Sequence, residues 1–167
     1  HNKNIYVHMD GARIANAAAS LNVSMKELTV NAGIDVLSFG GTKNGLMFGE
    51  AVVFFNKKLA QNYKYIRRQG MQLASKMRYI AVQFEALLTD DLWLENAKHA
   101  NEMAALLARQ VKKIQGITIT RPVEANAVFV TMPKEAAQRL MEKYYFYSLD
   151  EESGEYRWMT SFDTQER

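Results

Sequence analysis

The fold and the candidate chemistry of this chain depend on residues 10–49, which have the sequence DGARIANAAASLNVSMKELTVNAGIDVLSFGGTKNGLMFG. The preceding residues, 5–9, form a short apolar and β-prone run and predict a strand that ends at Asp10. Open α/β sheets bind ligands at the carboxyl edge of their strands. The Asp10 carboxylate is therefore a candidate ligand-binding group.

The turn after this strand carries a second polar side chain. Gly11 permits a sharp turn, and the alanine-rich residues 12–21 predict a helix. Arg13 follows Asp10 closely enough to return toward the same edge. Two structural explanations compete with ligand binding: Asp10 could favour a helix N-terminus through the helix dipole, and Arg13 could be an exposed helical arginine.

A second strand is predicted at residues 34–39, and a glycine-rich loop, residues 40–45, follows it with the sequence GGTKNG. Three glycines around Lys43 let the backbone approach a ligand closely. A lysine amine removed from water loses its proton more readily and becomes a nucleophile. The pattern fits a lysine that binds a carbonyl compound covalently, and a mobile surface lysine in a glycine-rich turn is the alternative.

The overall composition is that of an ordinary soluble globular protein, with 48% hydrophobic and 23% charged residues. The net charge of +3 is mild and the basic residues are scattered, so we expect no nucleic-acid partner. The absence of cysteine excludes disulfides and cysteine-based metal sites and fits the reducing cytosol, where we expect the protein to act. No apolar run reaches the length of a membrane span, and we expect no metal site.

The remaining chain predicts a capping box at Ser24 and Glu27 and a small α/β region toward the C-terminus. In that region, helices are expected on one face of an antiparallel sheet. On helix 92–115, the buried face is expected to carry Met103, Leu107, Val111 and Ile114. The predicted strands are 51–55, 117–120, 127–131, 145–149 and 156–162, and the predicted helices are 57–69, 71–88, 92–115 and 133–143.

Four segments, in order, carry a resemblance to a known family. They are VHMDGARIANA (7–17), DVLSFGGTKNG (35–45), GEAVVFF (49–55) and RWMTSFDT (157–164). Together they resemble the L-threonine aldolase family, the low-specificity branch of the fold-type-I enzymes that use pyridoxal 5'-phosphate (PLP). These enzymes are relatives of the β-eliminating lyases, and the chain resembles the C-terminal portion of the family.

This resemblance implies an α/β fold of the PLP-transferase type. Residues 1–90 would be the C-terminal part of a large, mostly parallel-sheet PLP-binding domain, and residues 91–167 a small α+β domain truncated at its C-terminus. The N-terminal part of the family fold, with the phosphate-cradling loop and the ring-stacking residue, is expected outside this chain. A homodimer or homotetramer is also implied.

The resemblance assigns a role to each candidate residue. Lys43 would bind PLP covalently, Asp10 would keep the cofactor's ring nitrogen protonated, and Arg13 would hydrogen-bond the ring hydroxyl oxygen. Arg157 would bind the substrate's α-carboxylate, for which its planar fork is suited. Without the resemblance, Arg157 would be an ordinary exposed arginine of a half-buried strand.

Three further polar residues receive weaker interpretations. His8 is expected to be a packed core histidine and is left out of the site. Lys76 and Arg78 lie where related enzymes place basic residues near the cofactor phosphate or the subunit contact. However, the segment GMQLASKMR departs from the family's glycine-rich pattern there.

The implied activity is PLP-dependent cleavage of a β-hydroxy-α-amino acid, such as threonine or allo-threonine, to glycine and an aldehyde. A β-eliminating lyase of the same superfamily is the first alternative, since it would use the same Lys43 and Asp10. A catalytically silent fragment or a dimerisation module is the second. The chain alone is expected to be inactive.

Overall fold

The computed structural model describes residues 5–150 and 153–166, and the chain divides into two compact units, His1–Glu95 and Asn96–Arg167. The described elements of the first unit are the strands β1 (His8–Gly11), β2 (Val36–Phe39) and β3 (Ala51–Phe54) and the helices α1 (Ile14–Leu21), α2 (Met25–Leu28), α3 (Tyr63–Gln69) and α4 (Arg78–Leu88). Helix α5 (Leu92–Val111) begins in this unit and continues into the second.

The sheet of the first unit has the order β1-β2-β3. Strands β1 and β2 are parallel, with Asp10 opposite Ser38, whereas β2 and β3 are antiparallel, with Phe39 opposite Ala51. Parallel strands end at the same edge of a sheet, so the residues that follow β1 and β2 emerge side by side. This edge carries the predicted site.

Strand β1 differs from its prediction because it begins at His8 and includes Asp10 and Gly11. Gly11 is a strand residue rather than the turn residue that we expected. A Cβ atom there would overlap the side chain of Leu37 and lie 2.9 Å from the carbonyl oxygen of Ser38. Glycine is thus required for close packing against β2, and the turn falls at the next residues, so that α1 begins at Ile14.

The two faces of this sheet have opposite character, as alternation along a strand requires. One face carries Leu37 and Phe39, which are buried with Ile14, Leu46 and Leu87 in the core of the unit. The other face carries His8 and Asp10 from β1 and Ser38 from β2. The alternating pattern therefore directs the polar groups away from the core.

Several elements after the glycine-rich loop differ from expectation. The predicted helix 57–69 is a short 3-10 turn, Lys57–Ala60, followed by α3. The predicted helix 71–88 begins only at Arg78, because Met71 and Lys76 have left-handed backbone angles with φ of 55° and 56°. The apolar strand β3 is not buried throughout, because Val52 and Val53 are exposed. The capping box at Ser24 and Glu27 is confirmed.

The second unit is the expected small α/β region, with an antiparallel sheet of order β4-β5-β7-β6. Alternate residues of its central strands, Val128, Val130 and Tyr156, pack against Ala104, Ala108 and Ala137 of two helices. The helices on one face of the sheet are therefore confirmed. The elements are β4 (Thr118–Ile119), β5 (Ala127–Thr131), α6 (Lys134–Met141), β6 (Tyr147–Asp150) and β7 (Glu155–Met159).

Two parts of this unit need separate comment. Glu151 and Glu152, which lie between the predicted strands 145–149 and 156–162, are outside the described residues. The predicted buried face of α5 was wrong in part: the helix ends at Val111, and Ile114 beyond it is 52% exposed. The buried residues of the helix form a stripe of alanines with one valine, namely Ala97, Ala100, Ala104, Ala108 and Val111.

Candidate active site

The turns that follow β1 and β2 touch each other at the carboxyl edge of the sheet. The backbone N–H of Gly40 donates a hydrogen bond of 3.1 Å to the carbonyl oxygen of Gly11. A Cβ atom on Gly40 would lie 2.6 Å from the Cα atom of Ala12, so only glycine allows this approach. The structure therefore brings the turn that carries Arg13 and the loop that carries Lys43 to one place.

Asp10 is exposed at this edge, and its Oδ1 accepts a hydrogen bond of 2.9 Å from the backbone N–H of Ala12. Oδ2 has no hydrogen-bond partner in the described part of the chain. Helix α1 has Arg13 as its N-cap, so Asp10 bonds the preceding turn rather than the helix terminus. The helix-cap explanation of Asp10 therefore does not describe this structure.

Arg13 is half-buried and lies outside the helix, with φ of −134° and ψ of 31°. Its carbonyl oxygen accepts a hydrogen bond of 3.1 Å from the N–H of Ala17, so α1 starts directly after it. This position differs from the exposed helical arginine that served as the structural alternative. Arg13 stays close to the strand edge because the turn, and not the helix, contains it.

Lys43 is the central residue of a 3-10 turn, Thr42–Asn44, and its side chain is exposed. The turn is closed by Gly45, whose φ of 111° favours glycine. The removal of the amine from water, which the sequence led us to expect, is not seen, because no described element covers the side chain. The lysine is instead held by its backbone and presented outward.

Glu50 anchors the backbone before Lys43 and was not identified from the sequence. Its carboxylate accepts hydrogen bonds from the N–H of Gly41 at 3.0 Å and the N–H of Thr42 at 3.2 Å, and from the Thr42 hydroxyl. These three donors converge on one acidic group at the start of β3. An acidic residue between Gly49 and the apolar run of β3 was the available signal, but nothing local indicated the residues it would bind.

Asn44 anchors the backbone after Lys43. Its side-chain Nδ2 donates a hydrogen bond of 3.1 Å to the carbonyl oxygen of Trp93, and the Asn44 side chain is buried. Lys43 therefore lies between two fixed neighbours. Such anchoring limits the positions that the amine can reach, which favours reaction with a ligand held in one orientation.

His8 is exposed and is not the packed core residue that we expected. Its Nε2 lies 2.8 Å from the hydroxyl oxygen of Ser38. Both residues lie on the sheet face that carries Asp10, because positions two apart on a strand share a face. The structure thus adds a histidine and a serine to the polar surface beside the candidate aspartate.

Arg157 lies in the second unit, in the middle of β7, and its neighbours are aromatic. Phe129 of β5 and Tyr147 of β6 are its cross-strand partners. The guanidinium carbon lies 5.0 Å from the centre of the Tyr147 ring. Its Nε atom is buried and has no hydrogen-bond partner in the described residues. Arg157 is therefore partly buried beside aromatic rings, unlike the exposed strand arginine that was the alternative.

Lys76 and Arg78 lie beside the start of α4. Lys76 precedes α4 in a left-handed conformation, and Arg78, the first residue of α4, stacks on the ring of Tyr79 at 4.8 Å. Their predicted roles stay predictions. In the described residues, no three His, Cys, Asp or Glu side chains are grouped as a metal site, and no helix is both long and apolar enough to cross a membrane.

The sheet with loops at its carboxyl edge, followed by a small antiparallel α/β unit, defines an α/β protein of the fold-type-I class. The model of the beta-eliminating lyase family matches residues 1–135, and the chain belongs to this family. The resemblance that the sequence motifs indicated is confirmed.

Relatives extend this result over nearly the whole chain. The low specificity L-threonine aldolase of a Pseudomonas species is 49% identical over 160 residues, which cover 96% of this chain and 46% of that protein. The protein of the same description from Pseudomonas aeruginosa is 47% identical over 161 residues, with the same coverage. This chain therefore spans about half the length of these curated relatives.

A solved structure gives the same result for the fold. The threonine aldolase of Leishmania major superimposes with a TM-score of 0.86 at 29% identity, over 98% of this chain and 48% of that one. The predicted fold class is thereby confirmed. The division into a large domain at residues 1–90 and a small domain at residues 91–167 stays a prediction.

Proposed function

We propose that this chain carries the cofactor-binding lysine and the carboxylate-binding arginine of a PLP-dependent aldolase. The substrate would be a β-hydroxy-α-amino acid such as threonine or allo-threonine, and the products glycine and an aldehyde. The observation that carries the proposal is the exposed Lys43 amine, which is held on an anchored loop at the same sheet edge as Asp10. The similarity to low specificity L-threonine aldolases over 96% of the chain supports it.

The residues at this edge fit PLP by their chemistry. An aldehyde group requires a primary amine, which Lys43 supplies with an exposed side chain. A protonated ring nitrogen requires a carboxylate with an oxygen available, which Asp10 supplies through Oδ2. A ring hydroxyl oxygen requires a hydrogen-bond donor, and the Arg13 guanidinium contains only donors.

When bound, PLP supplies the electron-withdrawing ring that makes cleavage at the amino-acid Cα feasible. Each residue then has a defined task. Lys43 holds the cofactor through its amine, Asp10 holds the proton on the ring nitrogen, and Arg13 donates to the ring hydroxyl oxygen. Arg157 binds the α-carboxylate through its planar fork, which orients the bond to be broken.

The same proposal includes the setting of the enzyme. Residues 1–90 would belong to the large cofactor-binding domain and residues 91–167 to the small domain. The working form would be a homodimer or homotetramer in the cytoplasm. The family resemblance implies this setting. It also implies that the phosphate loop, the ring-stacking residue and the base for the β-hydroxyl proton are not among these residues.

A β-eliminating activity is the second candidate, since the family model that matches residues 1–135 is described as beta-eliminating lyase. It would use Lys43 and Asp10 in the same roles. The products separate the two reactions: glycine and an aldehyde for aldol cleavage, or pyruvate and ammonia for β-elimination of serine-like substrates. Incubation of the full-length protein with threonine and with serine, followed by product analysis, decides between them.

The assignment of Lys43 is tested by Lys43→Ala in the full-length protein. We expect the variant to lose the covalent cofactor adduct that borohydride traps, as read by mass spectrometry, and nearly all turnover. Lys26→Ala is the matched control, because Lys26 is an exposed lysine on α2. A borohydride-stable adduct that persists in Lys43→Ala would refute the assignment, whatever the activity.

A further inference from the structure

Arg157 lies between aromatic residues on the face of the second unit's sheet that points away from its helices. The faces alternate along the strands, so Val128, Tyr156 and Trp158 face the helices while Arg157 faces away from them. Phe129 and Tyr147 flank Arg157 on neighbouring strands. Cross-strand partners have Cβ atoms roughly 5 Å apart, so the arginine side chain starts between those of Phe129 and Tyr147.

A second arginine on this unit shows a different arrangement. The guanidinium of Arg121 lies 4.4 Å from the centre of the Phe129 ring and also forms an ion pair with Glu155, at 2.6 Å. Its Nε donates to the same carboxylate at 3.1 Å. The charge of Arg121 is therefore paired with a carboxylate, and two of its nitrogens donate to that group.

Arg157 has the aromatic contact without the carboxylate. In residues 5–150 and 153–166, no acidic side chain forms an ion pair with it, and its buried Nε has no hydrogen-bond partner. The ring of Tyr147 is thus the group that orients this guanidinium. Because Nε is buried, the terminal nitrogens of the guanidinium are the donors with which Arg157 would bind a carboxylate.

The Tyr147 ring is itself fixed by a neighbour. Tyr145 packs edge-to-face against it, with ring centres 5.3 Å apart. A hydrogen bond with Tyr147 raises the pKa of the Tyr145 hydroxyl above its usual range. The Tyr147 ring therefore contacts the Tyr145 ring as well as the Arg157 guanidinium.

We infer that Tyr147 is a positioning residue that holds the Arg157 guanidinium, through its ring face, in the orientation that accepts the substrate's α-carboxylate. This inference rests on the proposed function, because it requires that Arg157 bind that carboxylate. Tyr147 acts through Arg157 and touches neither the cofactor nor the reacting bond. Its effect is therefore confined to ligands that carry a carboxylate.

The test uses the full-length enzyme loaded with PLP and two probes, glycine and methylamine, which differ by the carboxylate alone. Calorimetry gives the dissociation constant of each probe for the wild type and for five variants. They are Tyr147→Ala, Tyr147→Leu, Tyr147→Phe, Arg157→Ala and Tyr144→Ala. Tyr144 is the matched control because it is 65% exposed and precedes the pair in the sequence.

We expect Tyr147→Ala to weaken glycine binding by about two- to fivefold and to leave methylamine binding unchanged, since a cation–π contact at an exposed site is worth this much. Tyr147→Leu, which keeps apolar bulk without a ring face, should behave in the same way and provides the result if the alanine variant does not fold. Tyr147→Phe should retain wild-type binding. With threonine as substrate, the KM should rise in the first two variants while kcat changes less.

Arg157→Ala separates failure of this inference from failure of the proposed function. One outcome is that Arg157→Ala weakens glycine binding while Tyr147→Ala and Tyr147→Leu bind glycine as the control Tyr144→Ala does. In that case the positioning role of Tyr147 is wrong, and Arg157 still binds the carboxylate. If Arg157→Ala leaves the ratio of glycine to methylamine affinity unchanged, the carboxylate assignment is wrong and the inference fails with it. Equal weakening of both probes by the Tyr147 variants would also overturn the inference, because it would indicate general damage.

Discussion

In the first unit, Asp10, Arg13 and Lys43 lie at or beyond strand ends, on turns whose positions depend on backbone contacts. In the second unit, Arg157 lies in the middle of β7, and its position depends on the register with β5 and β6. A turn can be displaced by one added methyl group, whereas a strand residue stays in register while its neighbours change. This comparison predicts that substitutions impair the turn residues of the first unit and the strand residue of the second unit in different ways.

The largest effect is expected for Asp10→Asn in the full-length enzyme. Asparagine has nearly the same shape and can still accept the hydrogen bond from Ala12, so the turn should persist. The loss of charge should lower kcat by roughly 10² or more, since preorganised electrostatic groups contribute this much. PLP absorbance should be retained, and Asp91→Asn serves as the control. Near-normal turnover would show that the carboxylate serves the turn alone.

Gly40→Ala tests whether the contact between the two turns holds the first unit's site. The new methyl group would overlap the backbone of Ala12, which cannot move aside as a side chain can. We expect a loss of about 1–3 kcal/mol in the free energy of unfolding, measured by urea titration, together with weaker PLP binding. Gly70→Ala is the control, because a Cβ there lies 3.4 Å or more from the nearest atoms. An unchanged urea midpoint in Gly40→Ala would contradict the contact.

Thr160→Val tests the scaffold of the second unit. The Thr160 hydroxyl is buried and donates a hydrogen bond of 2.6 Å to the carbonyl oxygen of Ala100. Its removal should cost about 1 kcal/mol of unfolding free energy without any change in cofactor absorbance. Thr160→Ser, which keeps a hydroxyl, should retain most of the unfolding free energy that Thr160→Val loses. If Thr160→Val weakened PLP binding as much as Gly40→Ala does, the proposed difference between the two units would be wrong.

The smallest effect is expected for Glu155→Gln, and it depends on pH. A hydrogen bond from Arg121, followed by one from Thr120, lowers the pKa of the Glu155 carboxyl below its ordinary value. A pKa that is lower in the folded state than in the unfolded state stabilises the fold above the unfolded value, and this contribution is lost as pH falls through the folded value. The stability difference between wild type and Glu155→Gln should therefore shrink on acidification. A stability difference between the two proteins that grows at low pH would contradict this prediction.

The features that the sequence predicted are those that depend on local pattern. The capping box at Ser24 and Glu27 depends on residues three apart, and the central strands of the second unit follow their alternation. The strand, turn and glycine pattern around Asp10 and Lys43 predicted a candidate site at the carboxyl edge of the sheet. The family resemblance, rather than the strand pattern, singled out Arg157.

The features that the sequence did not predict depend on contacts between distant residues or on small side chains. Glu50 binds Gly41 and Thr42 because β3 returns beside β2, and no local pattern contains that pairing. On α5, the pattern of large apolar residues predicted a buried face that includes Ile114. In the structure, alanines form most of the buried stripe. Small residues give a weak hydrophobic signal even where they allow the closest packing.

The reversed direction of β3 has a consequence for how this site can vary. Because β3 is antiparallel to β2 and pairs beside it, the loop that carries Lys43 leaves and re-enters the sheet at one edge. A parallel neighbour would instead require a crossover connection, usually through a helix. Residues can therefore be added to or removed from this loop without rethreading the chain. The length of the segment between Asn44 and Glu50 becomes an independent variable, in evolution or in redesign, while the contacts of Glu50 and Asn44 keep Lys43 in place.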